Sequence, residues 1–277
     1  MNLTFKMISN FKNNAFISFG FLLFVLSCSP RLTPTDDAAQ IVIDGDDADW
    51  NRNYYRKAEN SNLIYALAED EKSFKVLIKA MDEKSVKKLV VLGLTIWVDG
   101  TGKNKKQVGI RYPLGLQHSP GFKEKMAAGG LKNMDREQLS GKGLQMLKDK
   151  KVDVIGLIGV LEDNQQMYQY DISALNIPIE IQRSVTSVEV VLEYAIPKSI
   201  LKKGKKGMTS IGLEMESIDV QSMMAQRGGG RGGRFGGARG AGMAGRGRGI
   251  NSAMRDKMEA FQELNQPVMI WSKVEME

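Results

Sequence analysis

The chain has 277 residues, a formal net charge of +7 and a single cysteine. One cysteine excludes an internal disulfide, so any domain must be held by its core. The positive balance comes from two places: Lys6 and Lys12 near the N-terminus, and Arg227, Arg231, Arg234, Arg239, Arg246 and Arg248 in one Gly-rich tract without an acidic residue. The rest is nearly neutral, so the basic character belongs to that tract and not to a folded binding face.

Lys6 and Lys12 precede an apolar run, Ala15 to Leu26, interrupted only by Ser18 and Gly20. That is short of the roughly 20 apolar residues a spanning helix needs, and it has the length of a signal-peptide core. It stops at Val25-Leu26-Ser27-Cys28, which resembles the lipobox of bacterial lipoproteins, with Leu26 a departure from the commonest pattern. Residues 1–27 are then a signal peptide, and Cys28 is the acylated N-terminus and membrane anchor. Acylation also accounts for the lone thiol. The other reading is a free Cys28 at the end of an uncleaved anchor; both place residue 29 onward outside the cytoplasm. Ser29 carries no inner-membrane retention signal, so the expected site is the outer membrane, on its periplasmic or its exterior face. Residues 28–39, rich in Pro, Thr, Ser and Asp, read as a tether.

From residue 40 the pattern is that of short strands. Ile41-Val42-Ile43 reads as the first, closed by the acidic turn Asp44 to Asp49 and then Trp50. Leu63 to Leu67 and Phe74 to Ala80 read as a hairpin. Leu89 to Val98 is the strongest β-run, with Leu94, Ile96 and Val98 on one face and Thr95, Trp97 and Asp99 on the other. Val108 to Tyr112 follows. Residues 113–151, punctuated by Pro and Gly, predict a helical insertion with stretches near Phe122 to Ala128 and Arg136 to Lys148. Strands resume at Val152 to Leu161, Met167 to Ile172, Ile177 to Gln182, Val185 to Ile196 and Met208 to Asp219. One helical turn is expected at Lys198 to Leu201. The Gly/Arg tract, 227–249, reads as a disordered loop. A short C-terminal helix, Ile250 to Leu264, and a last strand, Val268 to Val274, complete the chain. Many short strands without regular strand–helix alternation predict an all-β fold, an antiparallel β-sandwich over residues 40–277.

Ile43-Asp44-Gly45 with Asp49-Trp50 resembles the opening of the family 9 carbohydrate-binding modules and their DOMON-like relatives. Ile96-Trp97-Val98-Asp99 resembles their central strand, and Glu193-Tyr194-Ala195-Ile196-Pro197 a late one. The three occur in family order across roughly residues 40–200. The chain as a whole also resembles lipoproteins of the Bacteroidetes type. The resemblance implies a jelly-roll or immunoglobulin-like sandwich that binds sugar ends, haem or nothing known, sometimes with structural calcium.

Asp44, Asp46, Asp47 and Asp49 offer oxygen ligands suited to Ca²⁺, although their spacing is not that of an EF-hand; an acidic inter-strand turn is the alternative. Trp50 is expected to pack over the sandwich rim, and Trp271 to be half-buried mid-strand. Trp97, on the face opposite the apolar one, is either a sugar platform or covered by the insertion. Tyr54 and Tyr55 are further ligand-binding candidates. The six arginines of the tract suit anionic lipid or lipopolysaccharide phosphates; nucleic acid is not an expected partner outside the cytoplasm. Catalytic signatures are lacking: His118 is the sole histidine, expected to be exposed in a loop, and Glu189 and Glu193 read as a solvated strand face rather than a glycosidase pair. The sequence therefore predicts a non-enzymatic, lipid-anchored envelope protein that binds a glycan or another envelope ligand. The alternative is an interaction protein that docks a protein partner while its Gly/Arg loop touches an anionic surface.

Overall fold

The computed structural model describes residues 31–32, 36–59, 61–115, 118, 141, 144–145, 147–149, 154–161, 164–186, 188–201, 207–217 and 266–275. The expected signal peptide, Cys28, the Gly/Arg tract and the expected C-terminal helix lie outside these residues.

Twelve strands are present among them: β1 (Arg31–Leu32), β2 (Arg56–Lys57), β3 (Leu63–Glu69), β4 (Ser73–Ala80), β5 (Thr95–Asp99), β6 (Val108–Arg111), β7 (Val154–Ile158), β8 (Met167–Asp171), β9 (Glu180–Val185), β10 (Val190–Pro197), β11 (Met208–Met215) and β12 (Val268–Glu275). One sheet has the order β1-β12-β11-β5-β6-β7-β8, the other β2-β3-β4-β10-β9. Every pairing is antiparallel except the short parallel contact of β1 with β12. The expected all-β sandwich is what the chain forms.

Period-two alternation builds the core. Ile96 and Val98, Ile110, Leu157, Ile211 and Leu213 from the larger sheet meet Tyr65, Val76, Ile78, Leu192 and Tyr194 from the smaller one in a single buried cluster. The turn at Lys198–Ile200 is a 3₁₀ helix, as expected. Leu147, from the region read as a helical insertion, is buried in the same core, and the Arg183 guanidinium donates to the Leu147 carbonyl at 2.5 Å.

The structure departs from the sequence reading in several places. The single strand expected over Val185 to Ile196 is split, Val185 ending β9 and β10 starting at Val190 with Val188 exposed between them. Leu89 to Leu92 are not strand but the last turns of a helix, α1 (Glu83–Leu92). Asp82 caps it, its side chain accepting from the Lys84 and Ser85 backbone N–H groups. Val86, Leu89 and Val90, at helical spacing, face the core. Gly93 ends it at φ 72°, where a Cβ would stand 2.4 Å from the Pro113 carbonyl oxygen, so only glycine fits. Ile41 to Ile43 run extended without joining a sheet, and the strand expected from Ile177 begins at Glu180. Two pieces of the expected tether are also built into the domain: β1 pairs with β12, and Asp36–Gln40 form a 3₁₀ turn whose Ala38 is buried.

Candidate functional site

The acidic turn forms part of a strap rather than an open loop. Residues 41–55 lie across the outer face of the smaller sheet, where Ile41 and Trp50 join Ala66, Ala68, Leu77 and Val191 in a second apolar cluster, with Ile43, Tyr54 and Tyr55 packed against it. Glu193 fastens this strap. Its carboxylate accepts from the backbone N–H of Asp44 at 3.0 Å, that of Gly45 at 2.5 Å and the Trp50 indole N–H at 2.5 Å. It is fully buried, so the solvated face expected for Glu193 is not found: the strap has replaced water with three donors. Burial pushes its carboxyl above the usual carboxylate range, and the three hydrogen bonds oppose that rise. Trp50, buried as expected, serves both the cluster and this clasp.

The four aspartates are engaged locally. Asp47 accepts from the Tyr55 hydroxyl at 2.9 Å and pairs with Lys79 at 2.8 Å; Lys79 also pairs with Glu189. Burial raises the Asp47 carboxyl, but the bonds from Lys79 and Tyr55 hold it below its ordinary value. Asp49 accepts from the Val42 N–H at 2.5 Å, Asp44 from that of Asp46, and Asp46 from that of Ala48. No group of three or more His, Cys, Asp or Glu side chains able to hold a metal ion occurs among the described residues. Tyr54 and Tyr55 belong to this strap, so the fold does not bring them to Trp97, which lies on the other sheet.

The outer face of the larger sheet has a different character. Register places Trp271, Gly212, Trp97, Gly109 and Ile158 in one row across β12, β11, β5, β6 and β7. Each tryptophan lies flat over the glycine beside it. A Cβ on Gly212 would stand 2.8 Å from Trp271 Cζ3, and one on Gly109 2.8 Å from Trp97 Cζ3. Glycines within a strand thus mark where a ring approaches the backbone. Trp97 is only 4% exposed, so its ring is buried; Trp271 is half-buried, as expected.

Charged groups flank the row. Glu214 accepts from the Trp97 indole N–H at 2.6 Å and pairs with Lys106 at 2.6 Å, while the Lys106 ammonium lies 5.6 Å from the Trp97 ring centroid. On the next row position, Arg111 donates to the Thr95 hydroxyl at 3.1 Å, the Leu92 carbonyl at 2.5 Å and the Leu114 carbonyl at 3.1 Å, and pairs with Glu216 at 3.1 Å. His118 Nε2 meets the other Glu216 oxygen at 3.3 Å, and the exposed Gln169 amide donates to the His118 carbonyl. The His118 hydrogen bond, with the Arg111 charge added, pulls the Glu216 carboxyl down to about 2 against the opposing effect of burial. His118 is therefore not a free loop residue but one end of a chain running Thr95–Arg111–Glu216–His118.

Sequence reasoning singled out Trp97 here and missed Trp271 as its row partner, together with Glu214, Arg111 and Glu216. Isolated glycines at Gly109 and Gly212, inside otherwise β-branched strands, were the available signal. The arrangement supplies a half-exposed indole face beside hydrogen-bond donors and acceptors of both charges. The six arginines and Cys28 lie outside the described residues.

No protein-family model and no curated protein matches the chain. Among solved structures it is similar to a family 9 carbohydrate-binding module from Caldicellulosiruptor kristjanssonii in complex with cellotriose. That match has 13% identity and a TM-score of 0.31, and covers 70% of this chain and 78% of that one. It is also similar to a family 9 module from the same organism in complex with glucose, at 14% identity and a TM-score of 0.32, over 69% and 81% of the two chains.

Proposed function

We propose that this protein is a non-catalytic glycan-binding module of the cell envelope, anchored to the outer membrane through acylated Cys28 and contacting its ligand with the outer face of the larger sheet. The observation that carries the reading is the row Trp271–Gly212–Trp97–Gly109, bordered by Lys106, Glu214, Arg111 and Glu216. A sugar presents C–H groups on one face and hydroxyls at its rim. Trp271 offers a flat apolar surface for the first, and Lys106, Glu214 and Gln169 offer donors and acceptors for the second. Trp97 acts beneath this surface: it fixes Glu214 through its indole N–H and carries no sugar itself.

Calorimetric titration with neutral oligosaccharides, guided by a glycan array, tests the assignment. Trp271→Ala is expected to weaken binding by roughly tenfold, the value of one aromatic contact, with little change in melting temperature. A wild-type chain silent on the array, or a Trp271→Ala chain with full affinity, overturns it. A second reading rests on the six tract arginines free of acidic neighbours: an envelope interaction protein whose loop contacts anionic lipid or lipopolysaccharide phosphates.

A further inference from the structure

The outer face of β12 carries three side chains in a line. Met269, Trp271 and Lys273 alternate with Val268, Ile270 and Val274, which turn into the core. Met269 is 39% exposed, Trp271 is half-buried and Lys273 is partly exposed. Steps of about 7 Å separate their Cα atoms. The strand thus presents, in order, a thioether, a flat indole and an ammonium group.

Lys273 has no ion-pair partner among the described side chains. Register sets it in one row with Ser210 and Asp99, and that row supplies no counter-charge. Ser210 is neutral and buried. Asp99 is buried two strand spacings away, or about 10 Å, and its charge is turned into the loop that follows β5. One of its oxygens accepts from the Thr101 N–H at 2.9 Å and the Thr101 hydroxyl at 2.6 Å. The other accepts from the backbone N–H groups of Lys103 and Lys105, both at 2.9 Å, whose exposed side chains add positive charge at that end of the row. Lys106 and Arg111, further in on the same face, are compensated by Glu214 and Glu216. Register places Arg31 beside Lys273 on β1 and Glu275 two residues on along β12, and these two charges cancel.

We infer that the glycan bound on this face is acidic: a hexuronate, a sugar oxidised at C6, lies on the Trp271 indole with its carboxylate on the Lys273 ammonium, and the chain leaves toward Met269. The inference rests on the reading of this face as a glycan site and adds the class of sugar and its direction. A pyranose stacked on Trp271 projects its C6 group from the rim of the ring, and Lys273, two residues along the strand, reaches it with a four-carbon stem. A hydroxymethyl group there would receive a neutral hydrogen bond. A carboxylate receives a charge-assisted one, about twice as strong, and supplies the counter-charge that the sheet withholds. On the other side of the indole, Met269 gives apolar contact to a neighbouring sugar and no donor for an anion.

The full chain is applied to an array of oligosaccharide pairs whose members differ only in their terminal unit, hexose or hexuronate. The hexuronate-ended member is expected to bind about fivefold more tightly at low salt, the value of one partly exposed ion pair. That advantage is expected to fade near about 1 M NaCl, where the screening length falls to about 3 Å. Lys273→Met is expected to lose it, and Lys57→Met, on the edge of the other sheet, to keep it. Equal affinity for the two members, with binding that Trp271→Ala weakens, overturns the acidic class alone. So does an advantage that survives in Lys273→Met. Binding of neither member removes the glycan reading and this inference together.

Discussion

Gly109→Ala probes the row on the larger sheet most directly. The added methyl would stand 2.8 Å from Trp97 Cζ3 and 3.1 Å from both Cε3 and Cη2. Carbon atoms need about 3.5 Å, so the ring must rise. It has little room to do so, because Trp97 is buried, its indole N–H is held by Glu214 at 2.6 Å and Lys106 lies over its face. Overpacking of this kind costs about 1–3 kcal/mol. Loss of the charge-assisted bond to Glu214 adds about 1.5–3 kcal/mol. Alanine returns about 0.5–1 kcal/mol through its smaller backbone entropy loss. The net is about 1.5–5.5 kcal/mol of lost stability, or about 3–22 °C in Tm for a chain of this size. Gly212→Ala is the matched control. Its methyl meets Trp271 at the same 2.8 Å, but Trp271 is half-buried and can tilt into water, so the expected loss is below about 1 kcal/mol. Urea denaturation followed by tryptophan fluorescence measures both. A neutral Gly109→Ala, or equal losses in the two variants, would refute the account of Trp97 as a locked ring under the face and Trp271 as a movable one on it.

Glu193→Ala should destabilise the domain by about 3 kcal/mol or more, because three donors of the strap lose their buried acceptor, whereas Glu193→Gln, which keeps one oxygen, should lose less; an unchanged urea midpoint for Glu193→Ala would disprove the clasp. Glu216 has a folded carboxyl lowered to about 2 by His118 and Arg111. Its stabilising contribution is complete above the ordinary carboxylate value near 4 and is lost as pH falls from there toward 2. Lowered carboxyls at Asp47, Asp70, Asp82 and Asp99 act in the same sense. Raised Glu193 acts in the opposite one, since acid relieves its buried charge. Thermal melts between pH 5 and 2 should therefore show falling stability in the wild type and a shallower fall in Glu216→Gln; parallel curves would remove Glu216 from the balance. Deletion of residues 227–249 should reduce salt-sensitive binding to anionic vesicles if the arginines touch lipid, and equal binding by both forms would retire that reading.

The sandwich was legible wherever one face of a strand is buried. Ile96 and Val98, or Leu192, Tyr194 and Ile196, alternate because water reaches neither sheet's inner face, and that pattern is written in consecutive residues. The end of Glu83–Leu92 was not legible because Leu89 to Leu92 are apolar in either geometry. Asp82 and the spacing of Val86, Leu89 and Val90 were the signs that a helix precedes β5. Glu193 was misread for a different reason. Alternation puts it on the outer face, as expected, but whether an outer face meets solvent depends on what crosses it, and the strap comes from almost 150 residues away. The same holds for Glu214 and Trp97, which are 117 residues apart in sequence. Sites assembled by register between distant strands leave only indirect marks, here two glycines.

The pairing of β1 with β12 joins the first described segment of the chain to the last. The ribosome makes Arg31 and Leu32 long before Val268 to Glu275 exist, so the margin of the larger sheet stays unsealed until β12 has been made. A chain cut short anywhere before its final strand would carry two orphaned edges, β11 and β1, each with unsatisfied backbone groups seeking another strand. Formation of β12 is thus what closes this margin of the sheet.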